Sequence, residues 1–349
     1  MGSRIRIFDH FMKPLVEIES ATTPRAWVLN GYGRCDFSIS TSDPKCIEKN
    51  LQYGNLVFIE HVPSTDASGN VNGRLPDWVG IILTPREWDY GVLHVTAYSA
   101  ESILAFRSMP YMDIKGTPLS MFTQLINLAH ENANNITIKL NNLDDVSFTY
   151  SDALRTNAFD HIQKLIKDCG MDWSITGSIN ELGNLELLAN LYNRKGIDTN
   201  MVLNNNNVEL QSPLLTEQGT PSNHIFGYSQ AQTASSRVST VIKDEASISD
   251  YGSLQMNQVY IGRTDLGSVV NATQSRIDKR SRPVKLIKRT ALDKGTTFDF
   301  LDTGNKANIK ETTVGFNPQG GFGFESKVKI ISMDYNDLSN KVSLNVEVE

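Results

Sequence analysis

The stretch Tyr53-Gly54-Asn55, leading into Leu56-Val57-Phe58-Ile59, decides how this chain of 349 residues is read, because its pattern returns near the other end. There Thr303-Gly304-Asn305 leads into Ala307-Asn308-Ile309-Lys310. After the first occurrence come a loop and the hairpin Trp78-Val79-Gly80-Ile81-Ile82 to Gly91-Val92-Leu93-His94-Val95-Thr96-Ala97. After the second come the glycine-rich loop Asn317 to Gly323 and the hairpin Val328-Lys329-Ile330-Ile331 to Lys341-Val342-Ser343-Leu344-Asn345-Val346-Glu347. The order is the same both times: Gly-Asn turn, strand, loop, long hairpin. Two readings stand. Any two antiparallel β modules can echo one another in this way, or one module is duplicated, and then three chains present six similar units around an axis.

Working outward, residues 1–106 form a β-rich module, with the runs Leu15-Val16-Glu17-Ile18, Trp27-Val28-Leu29 and Phe37-Ser38-Ile39 beside those already quoted. A barrel or sandwich follows. Its loop from Pro63 to Pro76 carries Ser64, Asp66, Ser68, Gly69, Asn70, Asn72 and Gly73, too polar to order itself cheaply, and reads as an exposed hairpin tip. Gly320, Gly321, Phe322 and Gly323 read as a second exposed tip between strands.

Residues 107–200 change to a small α/β unit. Leu119, Phe122, Leu125, Ile126 and Ala129 make one apolar helical face, introduced by Thr117-Pro118; Ala158, Phe159, Ile162, Leu165 and Ile166 make another, closed by Gly170. Residues 201–236 and 291–349 return to strand character, including His224-Ile225-Phe226-Gly227-Tyr228, and 237–290 read as an insertion with one helix over Val269, Val270, Ala272, Thr273 and Ile277, ending before Pro283. Overlapping its end lie Arg276, Lys279, Arg280, Arg282, Lys285, Lys288 and Arg289. These are either a solvated helix face and a charged edge strand, or a patch facing a neighbouring subunit or a passing polyanion.

Composition removes several function classes. A formal charge of −6 lacks the basic footprint of a protein that grips phosphates. No apolar run reaches the ~20 residues of a membrane span, and no secretory leader is read at the N-terminus. Cys35, Cys46 and Cys169 have no metal-knuckle spacing and read as reduced thiols. His10, His61, His94, His130, His161 and His224 are scattered, and no nucleophile elbow, phosphate loop or dinucleotide motif occurs. No catalytic residue, metal or cofactor is therefore expected. The adjacent acids Asp144-Asp145, Asp244-Glu245 and Asp334 with Asp337 remain the candidates for glycan cleavage, and Trp78, Trp88, Tyr90 and Trp173 for stacking sugars; a glycan-binding or glycan-hydrolysing tail protein is the second reading.

Trp27-Val28-Leu29-Asn30-Gly31, Phe37-Ser38-Ile39, Tyr53-Gly54, Trp78-Val79-Gly80-Ile81-Ile82, Val95-Thr96-Ala97 and Leu104-Ala105-Phe106-Arg107, in that order, resemble the opening of siphophage tail hub proteins. Ser222-Asn223-His224-Ile225-Phe226-Gly227, the Tyr251-Gly252 turn and the closing hairpin resemble that family's second half. The resemblance spans almost the whole chain and implies a mainly β fold: two tube-like antiparallel β-barrel domains, a small α/β domain and a smaller inserted one. It implies a homotrimer forming a pseudo-sixfold ring at the virion tail tip, assembled in a host bacterial cytoplasm. Expected partners are tail tube or distal tail ring proteins, a tape-measure protein and tip spike or fibre proteins, with DNA in transit only and no stable membrane insertion. Some relatives carry a fused lysozyme or peptidase; here the sequence ends at Val346-Glu347-Val348-Glu349, and no such domain is expected.

Overall fold

The computed structural model describes residues 3–348 except 19–22, 64–72, 84–85, 132–135, 148, 155, 204–207, 219–220, 231–235, 261–262, 264, 283, 293–296, 317–321, 337–338 and 340. The chain is mainly β, 48% strand and 23% helix. The first module contains β1 (Ser3–Phe8), β2 (Pro14–Ile18), β3 (Arg25–Val28), β4 (Arg34–Ser40), the short helix α1 (Glu48–Leu51), β5 (Leu56–His61), β6 (Trp78–Ile82), β7 (Glu87–Asp89) and β8 (Val92–Ser99). A 3₁₀ segment, Ala100–Phe106, leads out of it.

The middle unit contains β9 (Met112–Gly116), α2 (Pro118–Glu131), β10 (Ile138–Leu143), β11 (Tyr150–Leu154), α3 (Ala158–Cys169), β12 (Asp172–Ile179) and β13 (Leu185–Tyr192). The first helix starts at Thr117-Pro118 and the second ends at Gly170, as their sequences say. Ser120 N–H donates to Thr117 Oγ1 (3.3 Å) at the head of α2, and Asp160 N–H donates to Asn157 Oδ1 (2.9 Å) at the head of α3. Gly170 closes α3 at φ +72°. The apolar faces of α2 and α3 join Trp173, Ile175, Leu185 and Leu187 in one core that also takes in Phe8, Leu56, Phe58, Val79 and Ile81 of the first module.

The second module contains β14 (Asp198–Leu203) and β15 (Val208–Gln218); then β16 (His224–Ser229), β17 (Ser239–Lys243), α4 (Glu245–Tyr251), β18 (Gln255–Tyr260) and α5 (Leu266–Arg280) intervene; then come β19 (Val284–Leu292), β20 (Lys306–Phe316), β21 (Phe322–Asn336) and β22 (Lys341–Val348). Strand pairing draws the insertion wider than the sequence reading of 237–290. Among the described residues β16 pairs only with β17 and β18, in a three-stranded sheet apart from the one that holds β15 and β19, which groups His224–Tyr228 with the strands of the insertion. β19 lies between β15 and β22. It is an interior strand, not the charged edge strand expected from Lys285, Lys288 and Arg289.

The two modules share one 14-stranded sheet, in the order β15-β19-β22-β21-β3-β4-β8-β6-β5-β1-β2 with β20, β14 and β7 attached off this path. Among the described residues its ladders do not close, so two separate closed barrels are not what the hydrogen bonds draw. Their internal order is nevertheless repeated: β3-β4-β8-β6-β5 in the first module and β15-β19-β22-β21-β20 in the second. The repeat is exact to the register at the Gly-Asn turns. Gly54 N–H donates to Ile82 O (2.9 Å), Ile82 N–H to Asn55 O (3.0 Å) and Asn55 N–H to Gln52 O (3.2 Å). Gly304 N–H donates to Ile330 O (2.7 Å), Ile330 N–H to Asn305 O (2.9 Å) and Asn305 N–H to Asp302 O (3.1 Å). Both glycines sit at positive φ, +86° and +95°, which a side chain would strain.

From those anchors the ladders match residue for residue. Leu56↔Ile81 corresponds to Lys306↔Lys329, Ile82↔Ala97 to Ile330↔Val346, and Cys35↔Ala97 to Ile287↔Val346. The inward residues agree: Leu93, Val95 and Ala97 are buried in one module, and Val342, Leu344 and Val346 in the other. The connections holding Ser64, Asp66, Ser68, Gly69 and Asn70, and Gly320 and Gly321, link equivalent strands (β5 to β6, β20 to β21). Those loop residues themselves lie outside the described residues, and Phe322 and Gly323 open β21.

Candidate functional site

The chemistry-bearing side chains gather where the units meet. The second half of β21 ladders onto β3: Ser332↔Val28, Met333↔Trp27, Asp334↔Ala26 and Tyr335↔Arg25. Arg25 is 2% exposed. Its guanidinium lies 4.8 Å from the Tyr335 ring centroid and donates to Ser3 Oγ and Thr23 Oγ1, each at 2.8 Å. Tyr335 meets His61 edge-on (5.3 Å) and Phe298 (6.2 Å), and Leu75 of the first module is buried in the second module's core. Two hydroxyls and an aromatic face thus surround this buried cation.

Asp172 joins all three units. It accepts from Asn30 Nδ2 (2.7 Å) in the first module, from Lys195 N–H (2.9 Å) after β13, and from Lys329 Nζ (2.7 Å) on β21. Asn30 reaches it from a left-handed backbone, φ +54°, and its Oδ1 accepts from Trp173 N–H (2.8 Å). Glu101 makes a second joint: Oε1 accepts from Ile175 N–H (2.9 Å) and Oε2 from Ser99 Oγ (2.7 Å). Burial raises the Glu101 carboxyl above the usual carboxylate range, against those two hydrogen bonds.

The insertion is fastened by Arg263, 1% exposed, whose Nη2 pairs with Asp168 at 2.8 Å and whose guanidinium lies 4.5 Å from the Tyr150 ring centroid. Tyr150 hydroxyl donates to the same Asp168 (3.1 Å), and burial followed by that carboxylate pushes the phenol well above its ordinary value. Of the seven basic residues, two have described polar partners, and the rest are placed by their elements. Lys279 Nζ donates back to Lys167 O (3.0 Å), Arg282 pairs with Asp250 (2.9 Å), and Arg276 and Arg280 lie on the last turns of α5. Lys285, Lys288 and Arg289 occupy register positions along β19.

Three of the acid candidates accept backbone N–H groups. Asp144 Oδ2 accepts from Asn193 N–H (2.8 Å), Asp145 Oδ1 from Leu119 N–H (3.2 Å) at the head of α2, and Asp244 from Ser247 N–H (2.9 Å) at the head of α4. Glu245 follows that cap in the first turn of α4, and Asp334 sits in the module junction; Asp337 lies outside the described residues. Sequence reading missed one buried chain: Asp152 Oδ2 to His161 Nδ1 (2.9 Å) and His161 Nε2 to Thr156 Oγ1 (3.3 Å), with Lys164 on the other Asp152 oxygen. Burial works to raise Asp152, but the hydrogen bonds from His161 and Lys164 outweigh it and hold the carboxyl below its usual range. The two residues sit on different elements, β11 and α3, and no spacing announces the pair. Cys169 is pushed up to about 12 by burial, the opposite of an activated thiol. Among the described residues no group of three His, Cys, Asp or Glu side chains is placed to hold a metal, and no helix is long and apolar enough to cross a membrane.

Of the four aromatics, Trp78 and Trp173 are core, at 1% exposure each. Trp88 and Tyr90 are outside, on β7 and its turn, at 64% and 103%. Phe11 and Leu182 are also exposed, on neighbouring turns joined by Leu185 N–H donating to Met12 O (2.9 Å).

Buried clamps between units, a repeated strand order and the exposed aromatics Trp88 and Tyr90 are what the described residues present. No protein-family model and no curated protein matches the sequence. Among solved structures the fold is that of phage tail proteins. The 43 kDa tail protein of prophage MuSo2 from Shewanella oneidensis is similar at TM-score 0.58 and 11% identity, over 99% of this chain and 98% of that one. A tail protein from Neisseria meningitidis MC58 gives 0.57 and 10%, over 100% and 97%. Prophage tail protein gp18 from Listeria monocytogenes gives 0.59 and 11%, over 98% and 94%. At such identities the likeness is one of fold, and it runs end to end.

Proposed function

We propose that this chain is the structural hub of a phage tail tip or of a related injection machine. Three copies form a pseudo-sixfold ring that ends the tail tube, anchors spike or fibre proteins, and lets DNA or cargo pass; the assembly belongs to the virion. The observation that carries this reading is the repeated strand order with matching hydrogen bonds at Gly54-Asn55 and Gly304-Asn305. A chain built of two alike modules needs only three copies to meet a sixfold surrounding. Each module is tube-like in this reading, and the approach of β15 to β20 supports a near-closed wall in the second. The acidic balance suits a channel that does not retain a polyanion.

The role needs no reaction of its own. Light scattering and negative-stain imaging of the purified protein, alone and with tail tube protein, test the ring: trimers with six similar lobes are expected, and a stable twofold dimer would overturn it. A peptidoglycan release assay tests the structural part; turnover abolished by Asp144→Ala or Asp145→Ala with the fold intact would replace the hub reading by the glycan-cleaving one.

A further inference from the structure

The register that relates the modules also relates their borders. Trp88↔Leu93 in the first module corresponds to Tyr335↔Val342 in the second, so β7 is the counterpart of the second half of β21. Arg25↔Cys35 corresponds to Leu215↔Ile287, so β3 is the counterpart of β15. Inside the chain one such pair of borders is joined: β21 on β3. The other pair, β7 and β15, is left over. Among the described residues β7 ladders only with β8, and β15 only with β19.

The leftover borders have the marks of an unfinished junction. Tyr335 is 5% exposed in the joined border, and its counterpart Trp88 is 64% exposed in the open one. All three β7 residues are exposed, and Tyr90 turns the chain at φ +37°, a strained position for an aromatic. An open strand edge carrying a tryptophan invites a partner strand. Because β14 runs parallel to β20 and hands the chain on to β15, the start of β15 lies toward β20, and its end is the part that corresponds to Arg25–Val28.

We propose that β7 of one copy adds, antiparallel, to the end of β15 in the next copy, in the register of the β21–β3 junction. That register sets Trp88 opposite Leu215, Glu87 opposite Thr216 and Arg86 opposite Glu217, with Arg86 held within its own chain beside Glu48 (3.7 Å) and over the Trp88 ring (5.5 Å). The contact is head-to-tail, so each copy has one border to give and one to receive, and every module-to-module seam around the ring becomes the same kind of ladder. The two seams differ in one respect. Arg25 stands behind Tyr335 within the chain, whereas leucine holds that position at the seam between copies. The proposal rests on the ring reading and adds its interface.

Cysteine cross-linking tests it in the full-length chain carrying Cys46→Ser and Cys169→Ser. With Trp88→Cys and Leu215→Cys together, a short bis-maleimide is expected to give covalent species ending at a closed trimer; each single variant alone gives none, and a mixture of the two singles gives dimers. Trimers in light scattering without this cross-link overturn the seam and leave the ring standing. Absence of trimers under every condition overturns both.

Discussion

The two modules use one ladder and differ in a single face. On β5 and β6 of the first, both faces are apolar: Val57, Ile59 and Trp78 look to the module's own core, and Leu56, Phe58, Val79 and Ile81 to the α/β unit. At the counterpart positions of that second face, the other module has Lys306, Asn308, Lys327 and Lys329. Its inner face keeps Ala307, Ile309, Val328 and Ile330. A strand's two faces alternate, so half of its residues can be rewritten without disturbing the other half. In the first module that face packs on the α/β unit, and in the second it is polar, with Lys329 reaching Asp172.

The comparison breaks most visibly at the docking face. Phe58→Asn, which imports the second module's residue, is expected to cost ~3–5 kcal/mol in urea unfolding, since it removes a large buried side chain. The counterpart Asn308→Ala should stay within about 0.5 kcal/mol, the range of surface changes. Equal effects would mean that the faces are not the distinction drawn here. Next in size is Asp172→Ala, which strips the partner from Lys329, Asn30 and Lys195 N–H at once. About 3 kcal/mol is expected, with limited proteolysis newly cutting between the α/β unit and β21.

The paired turns give a finer contrast. Gly54→Ala meets nothing within 4 Å and should lose only the ~1–2 kcal/mol of a strained φ. Gly304→Ala has the same strain and also drives a Cβ to 2.7 Å from Lys195 O, so its melting temperature should fall clearly further. Smallest is the acid limb. Because Asp152 is held below its ordinary range when folded, its contribution is present above the unfolded value near 4 and fades as pH falls through the folded one. The stability gap between the parent protein and Asp152→Asn should therefore shrink on acidification; a gap that widens would contradict the His161–Lys164 arrangement.

How much of this could be read in advance follows the same logic. Thr117-Pro118, Asn157 and Gly170 are local signals, and the helices they bound lie where expected. The Gly-Asn turns and closing hairpins were legible because their geometry is set by neighbours in sequence. Which strand borders which was not. His224-Ile225-Phe226-Gly227-Tyr228 alternates like any strand, and only its pairing with β17 and β18 takes it out of the second module. The β21–β3 junction, Arg25 beneath Tyr335, and Arg263 against Asp168 and Tyr150 all join residues far apart in the chain. Single buried cations carry no period. The thin identity between modules also has a cause: the inner positions stay apolar, and the outer ones answer to different neighbours.

Strand β21 spans 15 residues and pairs in turn with β20, β22 and β3, with a shift of register between Ile330 and Ser332. Swinging one module against the other would have to bend this shared beam or shear its rungs. A pull at one end would meet backbone rungs as well as side-chain contacts before one module could part from the other.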